Sequence, residues 1–371
     1  MEVNGTVEKF WSGKRVLITG HTGFKGSWLT LWLQKMDAEV RGISLDAAKP
    51  KNMFDVCNIA KNVDHQIADI RDFDLTLKLI QDFQPEIIFH MAAQPLVRLS
   101  YSQPIHTYST NIMGTVHVME AALRAKSVKS FVNVTTDKCY ANKDLEVSFK
   151  EDEPMGGYDP YSSSKGCSEL ITTAYRKSFY EKAGIPIATA RAGNVIGGGD
   201  WAMDRLVPDV LRAFQKNQSV NIRNPNSVRP WQHVLEPLSG YLLLAERLYN
   251  GGEEYSGSWN FGPKEGDHNC VHWIIKQLCE LWESEIEQLI VEQGDLYENN
   301  YLMLDITKAK DRLGWEPIWP LKTALKKVVE WHKAYENGVE MKALSIEQIT
   351  TYHSDAFNVG RFFSLSGSMP N

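Results

Sequence analysis

Tyr161 and Lys165 stand four residues apart in the run Tyr161-Ser162-Ser163-Ser164-Lys165, and Thr136-Asp137-Lys138 precede them. On a helix, residues at i and i+4 share one face, one above the other. An ammonium beside a phenol favours the phenolate and lowers a pKa that is ordinarily about 10. A phenolate at neutral pH is a base that can take the proton of a sugar or alcohol hydroxyl as hydride leaves the same carbon. The spacing alone also fits an ordinary helix face, so its weight comes from the rest of the chain.

Such chemistry needs a hydride acceptor and elements to position it. Arg15–Thr19 (RVLIT) is a short apolar, β-branched run that reads as a buried strand. It leads into Gly20-His21-Thr22-Gly23-Phe24-Lys25-Gly26 and then into SWLTLWLQK, which has helical spacing. Glycines at i, i+3 and i+6 allow a tight turn, bring backbone N–H groups against a pyrophosphate and let helix and strand pack closely. Glu39–Ser44 reads as the second strand. An acidic residue about 20 residues beyond the glycines would hold the adenosine ribose of NAD. Asp46 is the candidate, although Ser44 sits nearer the usual position. No basic cluster is placed for a 2′-phosphate, so NAD is expected rather than NADP. His21 and Lys25 put positive charge in the turn, facing either a pyrophosphate or solvent.

Further strands at 63–68, 86–91 and 130–135 alternate with helical patterns. This predicts an α/β fold with a Rossmann-type, doubly wound parallel sheet. Ligands of such sheets bind beyond the carboxyl ends of the strands. Those ends carry Asp69-Ile70, Ala92-Ala93-Gln94 and Thr135-Thr136-Asp137. Ala92 and Ala93 either let a cofactor lie against the backbone or simply pack.

Taken together, the glycine turn, Asp69-Ile70, His90-Met91-Ala92-Ala93-Gln94, Thr136-Asp137, Tyr161-x-x-x-Lys165 and Arg191-Ala192-Gly193-Asn194-Val195 follow one order. It resembles that of the extended short-chain dehydrogenase/reductase family, which includes nucleotide-sugar epimerases and dehydratases. The resemblance covers roughly residues 12–335. Within it, Thr135-Thr136-Asp137-Lys138-Cys139-Tyr140 and Pro154-Met155-Gly156-Gly157-Tyr158-Asp159-Pro160-Tyr161 look like the CDP-D-glucose branch of the 4,6-dehydratases. The TDP-glucose and GDP-mannose branches carry an acidic residue where this chain has Lys138. Epimerases usually lack the acid at Asp137.

The resemblance implies NAD as cofactor, a nucleotide sugar as substrate, and three stages. Tyr161 takes the 4-hydroxyl proton while hydride passes from C4 to NAD⁺. Water then leaves across C5 and C6, and hydride returns to C6 to give a 4-keto-6-deoxy sugar. Thr136 would align the 4-oxygen, and Lys165 would hold the nicotinamide ribose. Asp137 would protonate the departing hydroxide if its site raises its pKa; its alternative is a helix cap. Lys138 is a base for C5 only if it is kept neutral. Otherwise it is a charge that stabilises the enolate, or a solvated side chain. Cys139 reads as a small packed residue rather than a nucleophile.

On the substrate side the resemblance implies Asn194, Arg205, Arg223 and Arg229, with arginine suited to a diphosphate. Val207 and Pro208 would pack beside the base, or belong to ordinary core. Arg229-Pro230-Trp231 departs from the family pattern at its second position. Helices over 105–125 and 161–182 would pair with their copies as a dimer interface, with Trp28 and Trp32 in the core. The implied pathway role is supply of deoxysugars for a bacterial surface polysaccharide. The competing enzymes are another nucleotide-sugar dehydratase and a 4-epimerase, and the epimerase would have no use for Asp137 and Lys138. A non-catalytic NAD sensor would have no need to keep Tyr161 and Lys165.

The 371 residues allow an NAD-binding domain over 12–195, a mainly substrate-binding domain over 196–355 with the chain free to cross between them, and a tail over 356–371. A net charge of -6 argues against general nucleic-acid binding. No apolar run reaches the roughly 20 residues of a membrane span, and the N-terminus has no signal-peptide pattern. Cys57, Cys139, Cys167, Cys270 and Cys279 show no metal-binding spacing and suit reduced thiols in a cytoplasm. No metal is expected.

Overall fold

The fold is that of a computed structural model describing residues 10–47, 51–284, 289–291 and 300–360. Its frame is a seven-stranded sheet: β1 (Arg15–Thr19), β2 (Glu39–Ser44), β3 (Asp64–Ile67), β4 (Ile87–His90), β5 (Ser130–Val134), β6 (Ile187–Arg191) and β7 (Gly257–Asn260). The spatial order is β7-β6-β5-β4-β1-β2-β3, and every pairing is parallel. The order reverses between β1 and β4, so a crevice opens there beyond the strand ends.

The inner strands β1, β4, β5 and β6 are largely apolar and buried because both faces are covered. Val16, Ile18, Ile87, Phe89, Val132 and Val134 point into one core with Trp28 and Trp32 of α1 (Phe24–Lys35). Leu17, Ile88 and Phe131 point into the opposite core, packed with Val118 and Met119 of α2 (Thr115–Ala125). A third core joins α3 (Leu206–Gln215) to α4 (Val271–Trp282) and α5 (Leu321–Glu336) through Val210, Leu211, Ile274, Leu278 and Val328. It walls the far side of the crevice. Between α3 and α4 the chain returns to the main sheet, where β7 adds to its edge beside β6.

The C-terminal helix α6 (Met341–Asn358) packs on α1, where Trp32 Nε1 donates to His353 at 2.8 Å. Residues 356–358, which the sequence assigns to a tail, therefore belong to this helix, and Ala356 is buried. Residues 359–360 form a turn after the helix, and 361–371 lie outside the described residues.

Several histidines are buried neutral. Burial holds His90 and His233 at about 3, and His21, His332 and His353 at about 4. The unfolded chain binds these protons below about pH 6.5, and the native state refuses them until lower pH. Their stabilising contribution is thus complete above 6.5 and lost as pH falls towards 4 and 3. Thermal melts across that range should show a falling transition temperature, steeper than for a variant with His233 and His353 replaced by Gln.

Candidate active site

A cleft of about 610 Å³ runs across the strand ends from the glycine turn to α3. Gly20 has φ +78, and a Cβ there would lie 2.8 Å from the Ala92 backbone N. A Cβ on Gly26 would lie 2.2 Å from the Gly20 carbonyl. Only glycine leaves this cradle open at the N-terminus of α1, where N–H groups face an anion. Ser44, Asp46, Asp69, Ile70, Ala92, Ala93 and Gln94 line the same arm. Thr22 Oγ1 and Ser44 Oγ hydrogen-bond at 2.7 Å, which ties the turn to the end of β2. Arg41 faces away and pairs with Asp64. The Gln94 side chain holds its own loop, donating to Thr107 and Leu96. The Asp69 carboxylate is held by Arg71, which keeps it below its ordinary pKa. The small residues and the anion-facing turn fit a dinucleotide.

Two residues of the turn take positions the sequence does not offer. The His21 ring is buried and does not line the cleft: it fills the space left by Gly42, where a Cβ would lie 2.2 Å from it. Its Nε2 bonds His65 Nδ1 at 2.6 Å. Lys25 points into the reaction centre, 5.8 Å from the Tyr241 ring centroid. Burial and the neighbouring charges of Lys165 and Arg205 bring its ammonium down to about 7, against the pull of Asp137.

Tyr161 and Lys165 lie on the buried face of a helix, α-helical over Pro160–Tyr175 and capped by Asp159. Lys165 Nζ donates to the Val134 carbonyl at 3.0 Å, at the end of β5. One turn on, Glu169 accepts from Thr189 at 2.7 Å and Arg191 at 2.8 Å, and Thr135 also donates to it. Burial lowers Lys165 to about 8, and the Glu169 carboxylate opposes that loss. The Tyr161 phenol is pushed up, to about 12, where the sequence led to a lowered value. Burial dominates; the Thr136 hydroxyl lowers it and the Asp137 charge raises it. Lys165 is not among the groups that move it most.

Asp137–Cys139 form one 3₁₀ turn whose N-cap is Thr136, so capping is not the work of Asp137. Thr136 Oγ1 donates to Asp137 Oδ1 at 2.9 Å. Asp137 is buried, and burial raises its carboxyl above the ordinary value despite the opposing charge of Lys138. Its Oδ2 accepts no hydrogen bond and packs on Gly193, where a Cβ would lie 1.7 Å away. Gly193→Ala should therefore swing the carboxyl out of place. A displacement of about 1 Å costs about 10²-fold in rate, read as kcat of the folded variant. Lys138 is half-buried and lines the cleft beside Asp137. Cys139 is buried and its thiol is raised by burial, as a packed residue requires.

Beyond the reaction centre the cleft is lined by Asn194, Arg205, Val207, Pro208, Arg223 and Arg229. Asn194 adopts φ +42, a left-handed turn that asparagine tolerates. Arg205 Nη1 pairs with the buried Asp200 at 2.9 Å. Arg229 donates to the Val228 and Asn300 carbonyls. Val207 and Pro208 are buried in the first turn of α3, so they serve the core and line the cleft at once. Sequence reasoning missed Asp200 and Glu169; the second continues the four-residue stride of Tyr161 and Lys165.

The family model for GDP-mannose 4,6 dehydratase matches residues 17–328. The chain is 52% identical to CDP-glucose 4,6-dehydratase of Salmonella typhimurium, over 94% of this chain and 98% of that protein. It is 27% identical to human dTDP-D-glucose 4,6-dehydratase, over 86% of this chain and 90% of that one. Among solved structures, dTDP-glucose 4,6-dehydratase of Streptomyces venezuelae with NAD bound superposes with TM-score 0.76 at 22% identity, over 88% of this chain and 99% of that one. UDP-glucose 4-epimerase of Thermotoga maritima superposes with TM-score 0.77 at 24% identity, over 87% and 99%. At these identities the two structures establish the fold, which epimerases and dehydratases share.

Proposed function

This chain belongs to the GDP-mannose 4,6-dehydratase family, and from that we propose that its cleft takes CDP-D-glucose and NAD and converts the sugar to CDP-4-keto-6-deoxy-D-glucose. The observation that carries the reading is the buried Asp137 on the cleft beside Tyr161, its carboxyl raised by burial and hydrogen-bonded by Thr136. An acid of that kind is what loss of hydroxide from C6 requires, and an epimerase has no step for it.

NAD, when bound, supplies the hydride acceptor for C4 and then the donor for C6. The glycine turn, Asp46 or Ser44, Asp69, Ile70 and the backbone at Ala92, Ala93 and Gln94 would hold it. Tyr161 takes the 4-hydroxyl proton, and Thr136 aligns the 4-oxygen. Lys165, fixed on Val134, keeps positive charge beneath the site. Once C4 is a ketone the C5 proton is acidified, and Lys138 stands on the cleft wall to receive it or to stabilise the enolate. Asp137 protonates the departing hydroxide. Asn194, Arg205, Arg223 and Arg229 hold the diphosphate, and Val207 and Pro208 border the base.

A parallel assay with CDP-, TDP- and UDP-glucose and GDP-mannose, each with NAD⁺, tests the substrate by product mass. Loss of one water from CDP-glucose alone supports the reading; loss from another donor reassigns the base. Pairing of two copies through the helices over 104–125 and 160–183 fits the side chains exposed there, Ile105 at 84% and Leu170 at 59%. Five unpaired cysteines fit a reducing cytoplasm. Among the described residues no helix is long and apolar enough to cross a membrane.

A further inference from the structure

Donors from three adjoining strands converge on one buried carboxylate behind the reaction centre. Glu169 accepts from Thr189 of β6 at 2.7 Å, from Arg191 at the end of β6 at 2.8 Å and from Ser258 of β7 at 3.3 Å. Thr135, the residue after β5, donates to its other oxygen. The side chains of Glu169 and Arg191 are each 2% exposed. Arg191 in turn donates to the Tyr140 hydroxyl at 2.7 Å and to the Glu151 carbonyl at 2.9 Å. Desolvation of a buried ion pair offsets most of its attraction, so stability alone does not account for a carboxylate here.

Lys165 stands one helical turn before Glu169 on the same buried face, where Cβ atoms lie about 5–6 Å apart. Its ammonium donates to the Val134 carbonyl at 3.0 Å, a neutral partner. Val134 and Thr135 are consecutive, so the two helix residues grip adjacent groups of one strand end. Just beyond, the chain carries Thr136 and Asp137 into the cleft. From the other elements Lys165 is faced by Lys25 of the glycine turn, His90 at the end of β4 and Cys139 after β5. Tyr161 precedes it by one turn on its own helix. Lys25 and His90 bring no negative charge, and burial keeps the Cys139 thiol protonated. Glu169 is thus the fixed anion beside this lysine.

We infer that Glu169 is a positioning residue for the oxidation: anchored by the strands, its carboxylate holds Lys165 as a charged ammonium beneath the reacting atoms. As the 4-hydroxyl gives up its proton, negative charge develops on oxygen, and a fixed cation stabilises it. Without the carboxylate, burial turns the same lysine towards a neutral amine. With it, the ammonium persists to about 8. Oxidation needs the protonated lysine, so its rate falls as pH rises through that value. Loss of the carboxylate brings the fall to lower pH. Lys25 loses its charge near 7, but Glu169 is not among the groups that move it. A displaced fall therefore reports on Lys165. The inference rests on the 4,6-dehydratase reading.

The test compares Glu169→Gln, which keeps the shape and an acceptor without the charge, with Thr189→Val, which loosens the same network and keeps the charge. Formation of reduced cofactor is followed in single turnover from about pH 6 to about 9.5, with CDP-glucose and NAD⁺ saturating. The glutamine variant should lose its rate at a pH about one unit or more below the parent, the scale of an opposite charge one turn away. It is then about tenfold slower or worse near pH 9 and approaches the parent near pH 6. Thr189→Val should leave the position of the fall unchanged. Should the single variant fail to fold around an unpaired Arg191, Glu169→Gln with Arg191→Met removes both charges and must show the same displacement. A glutamine variant slowed equally at every pH, or a fall that Thr189→Val displaces as far, would overturn the inference and leave Glu169 a structural residue. Failure of the unaltered protein to form reduced cofactor with CDP-glucose would instead overturn the reading beneath it.

Discussion

Asp137→Asn will form reduced cofactor on mixing with CDP-glucose and NAD⁺, yet release product about 10²–10⁴-fold more slowly, the usual range for a lost general acid. The amide preserves the shape and can still accept from Thr136, so the fold and C4 oxidation survive. What disappears is a proton donor at the C6 oxygen, where hydroxide is a poor leaving group without one. The parent carboxyl suits the task because burial outweighs the opposing charges of Lys138 and Arg229 and raises its pKa. Absorbance of the reduced cofactor follows the first stage, and product mass follows the second. An asparagine variant that lost water at the full rate would move the acid to another residue.

Tyr161→Phe will act one stage earlier. The ring still fills its place on the helix, but no oxygen remains to take the 4-hydroxyl proton. Reduced cofactor should form about 10²–10⁴-fold more slowly, and dehydration should fall with it because no 4-ketone is made. The two variants thus separate: reduced cofactor builds up with asparagine at 137 and not with phenylalanine at 161. Equal accumulation in both would detach Tyr161 from proton removal.

Much of this was legible in the sequence, for physical reasons. β1, β4 and β5 are buried on both faces, so their apolar runs announce them, and the glycine turn after β1 marks the crevice. β7 was not legible: Gly257–Asn260 (GSWN) is short and half polar, and only its place beside β6 makes it a strand. His21 and Lys25 sit in a recognised motif, but their directions depend on the gap at Gly42 and on how α1 enters the site. The reversed shift at Tyr161 has the same origin. Spacing shows a nearby ammonium, whereas desolvation, the larger effect here, appears only when the surrounding chain is in place. Asp137 shows the converse, since its carboxyl needed a raising environment and the fold supplies one.

The most direct test of the central claim is to follow the hydrogen at C4. CDP-glucose carrying deuterium at C4 should yield a 4-keto-6-deoxy product with that deuterium at C6, seen by NMR of the methyl group. Internal transfer through one bound cofactor requires that outcome. Deuterium found again at C4 of an epimerised sugar, or a 6-deoxy product with no label at C6, would contradict it.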